Sequence, residues 1–169
     1  MKIIEGMKRI KELNIKCQDL KSKVEKYAAD LDFENPTYPD QKGQIREWVQ
    51  SYQDSVKEME RLKLAVQKTN LATSVVVEIA DKKITKSIAA WILRRRKLAK
   101  MDASIWQSLT DRGMKDGSFK QTDGTNREVK VRRYFDVKEK DQKVVEYNSE
   151  PMIIDRTLEV INCITELME

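Results

Sequence analysis

Residues 84–112, ITKSIAAWILRRRKLAKMDASIWQSLTDR, join the strongest helical pattern in the chain to its densest positive charge and two of its three tryptophans. At about 100° per residue, with Ile88 as origin, Ile92, Ala99 and Trp106 fall together, flanked by Trp91, Leu98, Ile105 and Leu109. That stripe predicts a core-facing central helix, with Thr85 as its N-cap and Asp111 near its end. Arg95 and Asp102 fall inside the stripe. Opposite charges on such a surface are costly unless paired, so they predict an ion network in the core or at a subunit contact, with Trp91 and Trp106 beside it. Arg94, Arg96, Lys97 and Lys100 are expected to face outward.

Upstream, Ile3, Ile10, Cys17, Val24 and Leu31 repeat every seven residues, with Leu13, Leu20 and Tyr27 three after the second, third and fourth. This a/d heptad predicts a long helix with a coiled-coil-like seam that needs a partner. Residues 32–41, DFENPTYPDQ, break it with Pro36 and Pro39. Helical spacing resumes through Ile45, Trp48, Val49, Tyr52, Val56, Met59, Leu62 and Val66 and closes near residue 73, so residues 1–73 read as an antiparallel helical hairpin. The β-branched run at residues 75–79 reads as a short hairpin or extended connector before the central helix.

Downstream, Gly113, Gly117 and Gly124 mark a polar stretch expected to be a mobile loop. Residues 127–136 and 143–148 are rich in β-formers and predict an antiparallel hairpin across VKEKDQ. A last helix is expected from residue 149, capped by Asn148 or Ser149, with Pro151 in its first turn and an apolar face from Ile153 to Met168. The fold class is therefore mainly α: a long antiparallel helical hairpin with central and C-terminal helices forming a bundle, and one or two small β-hairpins. The chain reads as a single helical domain, residues 1–169, divided at 1–73, 84–112, 113–148 and 149–169.

Several short patterns resemble the septicolysin-labelled family of small helical proteins. They are Gln67-Lys68-Thr69-Asn70-Leu71-Ala72-Thr73 closing the hairpin, Ile84-Thr85-Lys86-Ser87-Ile88-Ala89 leading into the Arg-rich helix, and Asn162-Cys163-Ile164-Thr165-Glu166-Leu167. The resemblance implies a helical bundle with a small β element and self-association, and no established activity. The chain departs from that family in a longer, more basic stretch at residues 113–148 and in Cys163, where an aromatic residue is typical.

The chain contains no histidine, which removes the commonest general base and metal ligand and every Ser-His or Cys-His arrangement. Two isolated cysteines do not make a zinc site, and no phosphate-binding glycine pattern occurs. No catalytic, cofactor-binding or metal residues are expected, and the chain reads as a nonenzyme. With neither a signal-peptide pattern nor a bilayer-length apolar run, it is expected in the cytoplasm or in a particle assembled there, away from membranes.

Charge is unevenly spread. Residues 74–112 carry 9 basic and 4 acidic groups, whereas residues 149–169 carry 1 and 5. The leading expectation is a noncatalytic structural protein that forms a homo-oligomer or joins a larger assembly such as a virion. The alternative is a nucleic-acid-associated protein using Arg94, Arg96, Lys97 and Lys100 with Lys130, Arg132 and Arg133 of the basic hairpin.

Overall fold

The computed structural model describes residues 1–168. It is mainly helical, with two small two-stranded antiparallel sheets. Helix α1 spans Ile3–Tyr27 and α2 spans Gln41–Ala72, so at 1.5 Å per residue they are roughly 37 and 48 Å long. Strands β1 (Ser74–Ile79) and β2 (Lys82–Ser87) follow. Next comes one continuous helix in three pieces: α3 (Ile88–Leu93), a π-helical turn (Arg94–Leu98) and α4 (Ala99–Gln107). Strands β3 (Gly117–Lys120) and β4 (Asn126–Val129) precede the long helix α5 (Val137–Ile164).

The chain divides into two compact units. The first contains Met1–Ser74, Ser87–Ala89 and the chain from Leu158 on. Its seam follows the heptad: Ile3, Leu13, Cys17 and Leu20 of α1 are buried, as are Met59 and Leu62 of α2. Arg9 pairs with Glu58, Leu13 and Cys17 cluster with Met59 and Leu62, and Tyr27 stacks against Trp48. Partners on α2 thus move toward its start as α1 advances, which makes the hairpin antiparallel.

Helix α1 ends at Tyr27, so Leu31, predicted to continue the seam, lies exposed in the connecting loop. There Tyr27, Tyr38 and Trp48 form an aromatic cluster with ring centroids 5.4–5.8 Å apart. Asp40 caps α2 by accepting from the Gly43 N–H at 2.9 Å, and a Cβ at Gly43 would stand 2.1 Å from the Asp40 carboxylate. The far end of the same unit is stitched by backbone bonds. Ile3 N–H donates to Thr165 at 2.9 Å and Leu167 N–H to Met1 at 2.8 Å. The buried Thr69 hydroxyl accepts from the Met168 N–H at 2.8 Å.

The second unit contains Val75–Lys86 and Ala90–Thr157. In β1, Val75, Val77 and Ile79 are buried while Val76 and Glu78 are exposed, the period-two pattern of a half-buried strand. The hairpin to β2 turns on Ala80 and Asp81, both with positive φ, 48° and 60°. Such a two-residue turn matches the strand twist and draws residues 82–87 into the sheet. Thr85 therefore lies in β2, and the helix starts at Ile88 rather than at the expected Thr85 cap.

Two further segments differ from what their sequence pattern predicts. The small sheet downstream is not residues 127–136 against 143–148. It pairs Gly117 with Val129 and Phe119 with Arg127, inside the stretch expected to be a loop, because Gly124 adopts φ 84° and reverses the chain early. The last helix begins at Val137 and not at residue 149. Asp136 accepts from the Glu139 N–H at 2.8 Å, an N-cap that starts the helix twelve residues upstream. Pro151 accordingly lies in the interior of α5.

Ala80 is the residue least suited to its turn, since a left-handed conformation costs about 1–2 kcal/mol outside glycine. Replacing Ala80 with Gly removes that penalty against a smaller loss to chain entropy, for a net gain of about 0.5–1 kcal/mol. The urea midpoint of Ala80→Gly should rise; a fall would contradict the left-handed turn.

Candidate functional site

The densest concentration of charge chemistry in the second unit lies along the π-helical turn. In a regular α-helix, residues seven apart share a face, which is why the pattern placed Arg95 and Asp102 in one stripe. A π-helical turn uses more residues per turn. Across this one the two turns back from Asp102 end at Arg94, eight residues away, and the Arg94 guanidinium donates to the Asp102 carboxylate.

The same guanidinium donates through Nε to Glu150 Oε2 at 2.6 Å and through Nη2 to Glu150 Oε1 at 3.0 Å, a two-point fork on α5. Its carbon lies 5.5 Å from the centre of the Tyr147 ring. Glu150 is only 4% exposed, so its charge is tolerated because the fork satisfies both oxygens. These bonds, with Glu150 the largest influence, hold the Arg94 pKa above its already high ordinary value.

Arg95 pairs instead with Asp155, and both side chains are part-exposed. Arg94, expected to face outward toward phosphates, is thus the enclosed member of the RRRK run. Arg96, Lys97 and Lys100 are exposed. Trp91 is buried and donates its indole N–H to the Val75 carbonyl at 2.9 Å; Trp106 is half-buried.

Sequence reasoning missed Glu150 and Tyr147 as ion-network residues: Tyr147 falls in the expected β-strand and Glu150 in the first turn of the expected last helix. The available signal was the Asp136-Val137-Lys138-Glu139 capping pattern, which would have placed both on one helix.

A second group of charges sits between the end of α4 and the start of α5. Arg133 donates to both oxygens of Asp111, each at 2.7 Å, and holds the Asp111 carboxyl below its usual range. The Val131 N–H donates to Asp116 at 2.6 Å. These two ties clasp the base of the segment bearing β3 and β4. Arg133 is therefore engaged, whereas Lys130 and Arg132 are exposed.

Among the described residues, no group of three or more Cys, Asp or Glu is placed to hold a metal ion, and no helix is long and apolar enough to cross a membrane. Cys17 is buried and Cys163 exposed, both as free thiols.

No protein-family model and no curated protein matches this chain. Among solved structures it is similar to a functionally unknown conserved protein from Corynebacterium diphtheriae, at 16% identity over 99% of each chain, with a TM-score of 0.58. That likeness shows a shared fold.

The two arginines should separate cleanly in mutation. Arg94→Leu strands the buried Glu150 carboxylate and is expected to cost roughly 3–5 kcal/mol. Arg95→Leu removes a part-exposed pair and is expected to cost at most about 1 kcal/mol. Equal losses in urea unfolding would show that the π-helical turn does not set the pairing.

Proposed function

We propose that this protein is a noncatalytic interaction protein that self-associates and braces a multi-subunit assembly. The observation that carries this reading is a bare aliphatic stripe on the central helix. Leu93, Leu98, Met101 and Ile105 are 43–66% exposed and follow one another at spacings of five, three and four residues. The five-residue step crosses the π-helical turn, where wider spacing keeps side chains aligned. A contiguous apolar helix face left in water marks an interaction surface more often than a solvated one.

The first unit has a similar feature. Val49, Tyr52 and Val56 on α2 are exposed at helical spacing, and Val49 and Tyr52 line an apolar groove with Leu20 and Val24 of α1. A second copy suits these surfaces because each chain then supplies both a protruding aliphatic stripe and a shallow groove. Helix packing of the ridge-into-groove kind accepts such a pair.

Light scattering coupled to size-exclusion chromatography, run across the micromolar range, should give a mass above that of one chain. Met101→Lys with Ile105→Lys should shift the protein toward the monomer while leaving its far-ultraviolet helical signal unchanged, since both side chains are exposed within one chain. A monomer at every concentration contradicts the proposal.

A further inference from the structure

We propose that the arm formed by residues 112–132 binds single-stranded nucleic acid, with Phe119 as a base-stacking platform and the surrounding lysines and arginines on the phosphates. The inference goes beyond self-assembly and rests on different residues.

Every residue of β3 and β4 is exposed, so neither face of this ribbon covers a core. A two-stranded hairpin with two bare faces is marginal in water, yet its ends are fastened. The Asp111–Arg133 and Asp116–Val131 ties close its base, and Asp123 at its tip accepts from both the Thr125 N–H and hydroxyl. The fold thus maintains an arm whose own burial does not account for it.

The register fixes what the arm presents. Phe119 pairs with Arg127 and Gly117 with Val129, so these four share one face. Phe119 is 65% exposed, and a Cβ at Gly117, its neighbour on that face, would meet nothing within 4 Å. The ring therefore stands exposed on a face that it shares with Arg127. Tyr134, just beyond the clasp, is 87% exposed.

Residues 112–132 carry six basic and three acidic side chains. Asp116 and Asp123 are occupied within the arm, while Lys115, Lys120, Arg127, Lys130 and Arg132 are exposed. Arg127 shares the face of Phe119 and Lys120 takes the other face of the ribbon. An open aromatic ring thus sits on a basic arm, the combination that single strands require, because bases stack on the ring while phosphates take the charge. An acidic peptide would meet the cations and leave the ring in water. A bilayer would need an apolar tip, but the tip is Gln121-Thr122-Asp123-Gly124-Thr125.

Fluorescence anisotropy with labelled oligouridylate and oligothymidylate tests this on the full chain. Binding at about 50 mM salt should weaken steeply as salt rises, by roughly 0.7 logarithmic units per phosphate contact per decade of salt. Lys130→Gln with Arg132→Gln should lower that slope by about 1.4. Phe119→Ala should weaken affinity about tenfold while leaving the slope unchanged, and Phe119→Tyr should restore it. The proposal is overturned if neither oligonucleotide binds, if Phe119→Ala binds as tightly as the parent, or if polyglutamate binds as tightly as the oligonucleotides.

Discussion

The fork between Arg94 and Glu150 is the constraint around which the second unit is arranged. A carboxylate almost withdrawn from water is costly unless its charge and both oxygens are met. One guanidinium meets them, and it reaches Asp102 as well across the π-helical turn that begins at the same residue. The consequence extends along the helix. Arg95 pairs with Asp155, Ala99 stays buried as its pattern predicts and Ala103 joins it, and Leu98 and Ile105, expected beside the core, face water with Met101. The same change of register that satisfies a buried ion pair exposes the stripe assigned to self-association.

The charge distribution acquires a different meaning in this light. Of the seven basic residues first considered for phosphate contact, Arg94 and Arg133 serve the protein's own carboxylates. Lys130 and Arg132 remain on an arm that Arg133 itself holds in place through Asp111. Assembly through aliphatic helix faces and nucleic-acid contact through the arm use separate surfaces, so the two readings are compatible and separately testable.

The first unit was the most legible part of the chain. Its heptad runs through about four repeats, Pro36 and Pro39 interrupt it, and its long-range ion pair, Arg9 with Glu58, is exposed and leaves the buried seam apolar. The second unit was harder for identifiable reasons. Val144 and Val145 suggested a strand, but the Asp136 cap and the Lys- and Glu-rich residues around them continue as helix, and Val145 is left exposed. Gly117 and Gly124 suggested a loop where one glycine sits in a strand and the other makes its turn. The need for a buried ion partner near the Arg-rich run was readable, but its identity was not. The partner is contributed by a residue 56 positions away, and local spacing carries no record of a hydrogen-bond ladder widened by so distant a contact.

The most direct measurement is a double-mutant cycle on Arg94→Met and Glu150→Leu, read by urea unfolding. If the fork organises the second unit, each single change should be strongly destabilising and the double variant should recover much of the loss, since two apolar side chains leave no stranded charge. Losses that simply add would contradict the account, because Arg94 and Glu150 would then contribute independently and the π-helical turn would have no ion pair to explain it.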